Sequence, residues 1–131
     1  MPLTYTEFTE ILRKKPENRY KYFVKRAVAE EEVFGLFDDE GWLMLEQDDK
    51  DVMLLFPDLE FAEYFRKEGD FDDFRVENLD LIELMEWLDD FKNEGLMVAA
   101  FPTPDFLSVV IQPETLKTDI QELLDREEGE E

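Results

Sequence analysis

The chain has 131 residues, enough for one domain with a real core, and 44% of them are hydrophobic, with 12 Phe, 4 Tyr and 2 Trp. The formal net charge of −22 repels nucleic-acid phosphate and anionic membrane, so neither direct nucleic-acid binding nor membrane association is expected. With no Cys, no His, one Ser and five scattered Gly, the chain lacks the residues for disulfide scaffolds, thiolate or imidazole metal sites, His-based triads and glycine-rich phosphate loops.

From the N-terminus, Thr4 and Glu7 have the spacing of a capping box, with Leu3 and Phe8 as its hydrophobic staple. They predict a short helix to about Lys14 that buries Phe8, Ile11 and Leu12. Pro16 suits the first turn of a second helix. There Tyr20, Phe23, Val24, Ala27 and Val28 repeat at helical spacing and form the inner face; Arg19, Tyr22, Lys25 and Arg26 fall on the opposite one.

The period then changes. Val33–Phe37, Trp42–Glu46 and Val52–Phe56 are apolar runs separated by acidic turns, which predicts a three-stranded antiparallel meander. Asp58 is placed to cap a helix over Leu59–Lys67, stopped by Gly69. Phe74–Asn78 reads as a strand. Asp80 and Glu83 repeat the capping-box pattern between Leu79 and Leu84, opening a helix with Leu81, Leu84, Met85, Trp87, Leu88 and Phe91 on one side and Gly95 at its end. Leu96–Phe101 is a buried central strand, Pro102–Asp105 a turn and Ser108–Ile111 a hairpin partner. Pro113 starts a last helix to about Arg126, with Leu116, Ile120, Leu123 and Leu124 inward, and Glu127–Glu131 form an acidic tail.

These elements predict an α+β fold: a mostly antiparallel five- to six-stranded sheet with helices packed on it, preceded by an N-terminal helix pair. Residues 1–131 are read as a single domain, with 1–31 as its helical N-terminal segment. The start of the chain lacks the basic and apolar stretches of a signal peptide, and a cytoplasmic location is expected.

Charge is distributed with a direction. Residues 1–28 hold seven bases (Arg13, Lys14, Lys15, Arg19, Lys21, Lys25, Arg26) against three acids, a balance of +4; residues 29–131 hold seven bases against 33 acids, a balance of −26. Two candidate interaction surfaces follow. One is a basic face on the second helix, carried by Arg19, Lys25 and Arg26, which would dock on acids of this chain, of another copy, or of an acidic partner or nucleic acid; the alternative is a solvated helix face. The other is an aromatic patch of Phe61, Tyr64, Phe65, Phe71 and Phe74 inside an acidic rim, the composition of a protein-binding site; the alternative is that these rings belong to the core. The acidic loops at 38–40, 48–51 and 70–73 lack the ligand spacing of a calcium loop, so no metal or cofactor site is assigned. No pair of carboxylates stands out as an acid/base couple, and no catalytic residue is assigned.

Val33-Phe34-Gly35-Leu36, Asp39-Glu40-Gly41-Trp42, Phe56-Pro57, Leu81 with Trp87-Leu88, Gly95, the Val98 to Phe101-Pro102 segment and Pro113 followed by Leu116, taken in order, resemble the bacterial domain of unknown function 2750 family over roughly residues 24–124. The order of elements in residues 51–124 is also similar to the amino-terminal domain of the serine-sensitivity enhancer family linked to type III secretion. The first resemblance implies a small bacterial cytosolic protein with no established activity and no catalytic residue to carry over. The expected function is a non-catalytic protein–protein binding or regulatory module, acting on a protein partner or by self-association as a homodimer. The alternative is an immunity-type or nucleic-acid-mimic protein whose carboxylates block a basic partner. A carboxylate-based hydrolase is the remote third.

Overall fold

A computed structural model describes residues 3–105 and 108–129. Helix α1 (Tyr5–Leu12) begins at the predicted capping box: the Thr4 hydroxyl accepts from the Glu7 amide and the Glu7 carboxylate accepts from the Thr4 amide, both at 3.1 Å. It stops at Leu12, two residues short of expectation. Helix α2 (Pro16–Glu30) carries Pro at its start, where no amide donor is needed. It ends on Glu31, which takes a left-handed conformation at φ 59° and turns the chain into the first strand.

The α+β class holds, but the sheet divides. Strands β1 (Glu32–Asp38), β2 (Gly41–Trp42) and β5 (Arg75–Asp80) form one sheet in the order β2-β1-β5. Strands β3 (Met44–Gln47), β4 (Lys50–Leu55), β6 (Met97–Ala100) and β7 (Val109–Ile111) form another in the order β3-β4-β6-β7. The two meet where Phe34 and Phe56 exchange backbone hydrogen bonds of 2.8 and 2.9 Å. The expected single sheet of five to six strands is therefore, among the described residues, seven strands in two joined sheets.

The reason lies at Leu43. The middle run of the meander starts against β1, with Trp42 opposite Phe37 and the Leu43 amide donating to Leu36 at 2.7 Å. It then leaves β1 and pairs with β4. The β3–β4 hairpin closes through Asp48 and Asp49, both at positive φ (53° and 66°), the twist that suits a two-residue connection. Gly35 permits the crossing, because a Cβ there would sit 2.8 Å from the Trp42 ring. The third run pairs antiparallel with the second, as a meander predicts, but its other neighbour is β6, which runs parallel to it. The other four strand pairings are antiparallel.

Between β4 and β6 the chain makes the long crossover that parallel neighbours need. It passes through helix α3 (Leu59–Glu68), strand β5 and helix α4 (Leu81–Glu94). Strand β5 pairs with β1 from Glu32 opposite Asp80 to Phe37 opposite Arg75. Asp80 caps α4 by accepting from the Ile82 amide at 2.7 Å, and Gly95 ends it in the left-handed region at φ 76°. Helix α5 (Pro113–Gly129) runs beyond Arg126 into the segment expected as a tail, whose last two residues lie outside the described ones.

The core is one cluster reaching from Ile11 on α1 to Ile120 on α5, centred on β4, β6 and the inner faces of α2, α3 and α4. Phe23 and Ala27 of α2 are fully buried within it. Among the described residues no helix is long and apolar enough to cross a membrane.

Candidate functional site

Helix α2 carries a buried arginine and a half-buried tyrosine and arginine that share one carboxylate. Phe23, Val24, Ala27 and Val28 hold it against the core, and residues 19, 22 and 26 follow at helical spacing on the edge of that buried stripe. The expectation that Arg19, Tyr22 and Arg26 project away from the protein is corrected here. Arg19 is 3% exposed. Its Nε donates to the Phe101 carbonyl at 3.4 Å, Nη1 donates to the Lys14 carbonyl, and the guanidinium lies 5.8 Å from the Phe101 ring centroid. Burial pulls its pKa downward, a shift opposed by Glu17.

Tyr22 and Arg26 converge on Asp58. The Tyr22 hydroxyl donates to Asp58 Oδ2 at 2.7 Å and Arg26 Nε donates to Oδ1 at 2.8 Å. Arg26 Nη1 also reaches Glu30 at 2.8 Å. Asp58 does stand at the N-cap of α3, but its side chain makes no capping bond and is turned to α2 instead. Burial, then the bond to Asp58, raises the Tyr22 pKa above its usual value of 10.0. Of the three residues expected on a basic face, only Lys25 is exposed and outside every ion pair among the described residues.

The aromatic patch is largely internal. Phe61 and Phe65 are each 1% exposed, while Tyr64, Phe71 and Phe74 are half-buried. Phe8 of α1 stacks on Phe61 at 4.9 Å and meets Tyr64 edge-on at 5.4 Å. Phe65 stacks on Phe71 at 5.6 Å, and Phe71 meets Phe74 at 5.9 Å. Rings that looked like surface anchors thus tie α1, α3 and the following turn to the core, because one short helix can hide its aromatics only if neighbours on two sides cover them.

The outer flank of α2 has a different character. Between α2 and α5 lies an open groove of about 440 Å³. Tyr20, Val24 and Leu123 form its apolar floor, and its rim carries Glu17, Lys21 and Lys25 from α2 against Asp119, Glu122 and Arg126 from α5. Each set repeats at three- and four-residue steps, so each helix offers one continuous ridge. Asp119 accepts from the Tyr20 hydroxyl across the groove. Among the described residues Lys21, Lys25 and Arg126 enter no ion pair. The rim holds three acids and three bases and is therefore locally neutral, on a chain of −22. Sequence reading assigned Tyr20, Val24 and Leu123 to the core and overlooked Lys21, Asp119, Glu122 and Arg126. The matching helical steps in the two segments were the available signal, but nothing local said that the helices would be neighbours.

A second cleft of about 370 Å³ lies on one face of the four-stranded sheet, lined by residues such as Leu45, Leu54, Ala99 and Val110. Ser108 borders it, but its hydroxyl is directed to the Ala100 and Val109 carbonyls at 3.2 and 3.1 Å. Among the described residues no group of three or more acids is arranged to hold a metal ion.

A family model described as "Protein of unknown function (DUF2750)" matches residues 20–120, which span α2 from Tyr20 onward and the start of α5 through Ile120, ending before Glu122, Leu123 and Arg126. No curated protein matches the chain.

Proposed function

The chain belongs to the DUF2750 family of proteins of unknown function, and we propose that it is a non-catalytic protein-binding module whose docking site is the α2–α5 groove. The observation that carries this reading is the groove's composition: an apolar floor inside a rim of balanced charge, on a chain of net charge −22. Apolar centre and polar rim are the anatomy of a protein interface. Cations left without partners in a chain of 36 acids favour a contact from outside over an internal structural role. The non-catalytic part of the reading rests on side-chain chemistry. The one serine is bonded to backbone carbonyls, and the buried carboxylate of Asp58 is already held by Arg26 and Tyr22. Neither is poised toward an incoming substrate.

The test is affinity capture from bacterial extract with the intact chain and with Leu123→Arg, which plants a charge on the groove floor; because Leu123 is partly buried and packs against the core, circular dichroism checks that the variant is folded. The intact chain is expected to retain a protein through moderate salt, since apolar contacts resist screening, and Leu123→Arg is expected to lose it. Equal capture by both would overturn the groove as the docking site.

A further inference from the structure

Resting on that reading, we infer that the groove's partner is a second copy of this chain, docked across a two-fold axis. Two molecules of charge −22 repel each other over most of their surfaces. The α2–α5 groove is a place where that repulsion is weak, because its rim sums to zero. The two ridges differ in their content: α2 supplies the unpaired Lys21 and Lys25, and α5 supplies Asp119 and Glu122. A two-fold axis over the groove sets each ridge against a ridge of the other copy, and the same patch serves on both sides. With α2 facing the partner's α5, each copy's lysines meet the other's acids, and Leu123 meets its counterpart's apolar floor. The lysines, idle in one copy, find partners in two.

The arrangement has a signature that other occupants lack. Lys25→Glu should set acid against acid at both symmetric contacts, and Glu122→Lys should set base against base. Each variant alone is expected to weaken the dimer by at least about tenfold. An equimolar mixture of the two should restore it, since every contact in the mixed dimer again pairs opposite charges. Sedimentation equilibrium at 0.15 M salt, where the screening length is about 8 Å and remote repulsion is muted, reads this directly. Circular dichroism checks that each variant is folded.

A dimer lost in each variant and recovered on mixing supports the inference. Wild-type protein that stays monomeric, a dimer indifferent to either reversal, or no recovery on mixing overturns it. Leu123→Arg separates the two levels. If it abolishes capture of a host protein while the wild type is monomeric, the groove remains a docking site and the second copy is not its occupant. If it changes neither capture nor oligomeric state, both readings fall.

Discussion

Replacing Arg19 with Met is expected to lower stability by about 2–4 kcal/mol, which for a domain of this size is a fall of roughly 8–15 °C in melting temperature. The loss comes from what the side chain leaves behind. The Phe101 and Lys14 carbonyls each accept a bond from the Arg19 guanidinium, and Met keeps the stem but removes every donor. Phe101 is the sensitive point. Its backbone sits at φ 65°, a region bulky residues rarely enter, in the middle of the core. Such a conformation persists only where the surroundings over-determine it. Here the Phe101 amide donates to Leu55 at 2.8 Å, the ring packs on Phe61 at 4.6 Å, and Arg19 holds the carbonyl. Arg19→Lys preserves the charge but not the fork that reaches two carbonyls, so it should recover only part of the loss. A thermal melt of Arg19→Met within a degree or so of wild type would show that Arg19 does not carry this role.

Asp58→Ala is the second large expectation, a loss of about 2–3 kcal/mol. Removing the carboxylate strands a partly buried arginine and a tyrosine hydroxyl that converge on nothing else as strong. The value is set below the usual cost of breaking a buried pair because the Arg26 side chain is 26% exposed and keeps Glu30. Asp58→Asn keeps an acceptor and should lose less. The network also has an alkaline limit. The folded protein raises the Tyr22 pKa above its ordinary 10.0, so its protonated hydroxyl stabilises the fold in full below that pH. The contribution is lost as pH climbs from 10.0 toward the higher folded-state value. Urea unfolding of Tyr22→Phe should accordingly show a shallower loss of stability above pH 10.0 than wild type. Parallel pH curves for the two proteins would remove Tyr22 from the account.

Local signals in the sequence carried most of the elements. The Thr4–Glu7 capping box, Pro16 at a helix start, Gly95 at a helix end and the apolar run of β6 all express preferences of a few neighbouring residues, and all are found where those preferences place them. What depends on distant partners was not legible. Nothing in the Val52–Phe56 segment says that its neighbour will be β6, running parallel, and nothing around Leu43 says that one run of residues will serve two sheets. Arg19 and Arg26 were misplaced for a related reason. Helical periodicity sorts residues by polarity, and an arginine reads as outward even when its fork is needed inside by a backbone carbonyl 82 residues away. The aromatic segment stayed open between interface and core in the sequence, because its rings are too many for one helix face and the sequence does not say that α1 covers Phe61 and Tyr64. The +4 N-terminal balance was real in composition, yet the fold divides it, with Arg19 inside, Arg26 on Asp58, Lys21 and Lys25 at the groove, and Arg13, Lys14 and Lys15 exposed between α1 and α2.

That last pair offers the most direct test of the groove as an interface between copies. Amine acylation, followed residue by residue by mass spectrometry, reports how accessible each lysine is in dilute and in concentrated protein. Lys21 and Lys25 should lose reactivity as concentration rises, while Lys50 and Lys67, exposed on other faces, keep theirs. A uniform change across all four lysines, or protection of Lys50 or Lys67 with Lys21 and Lys25 unaffected, would contradict it.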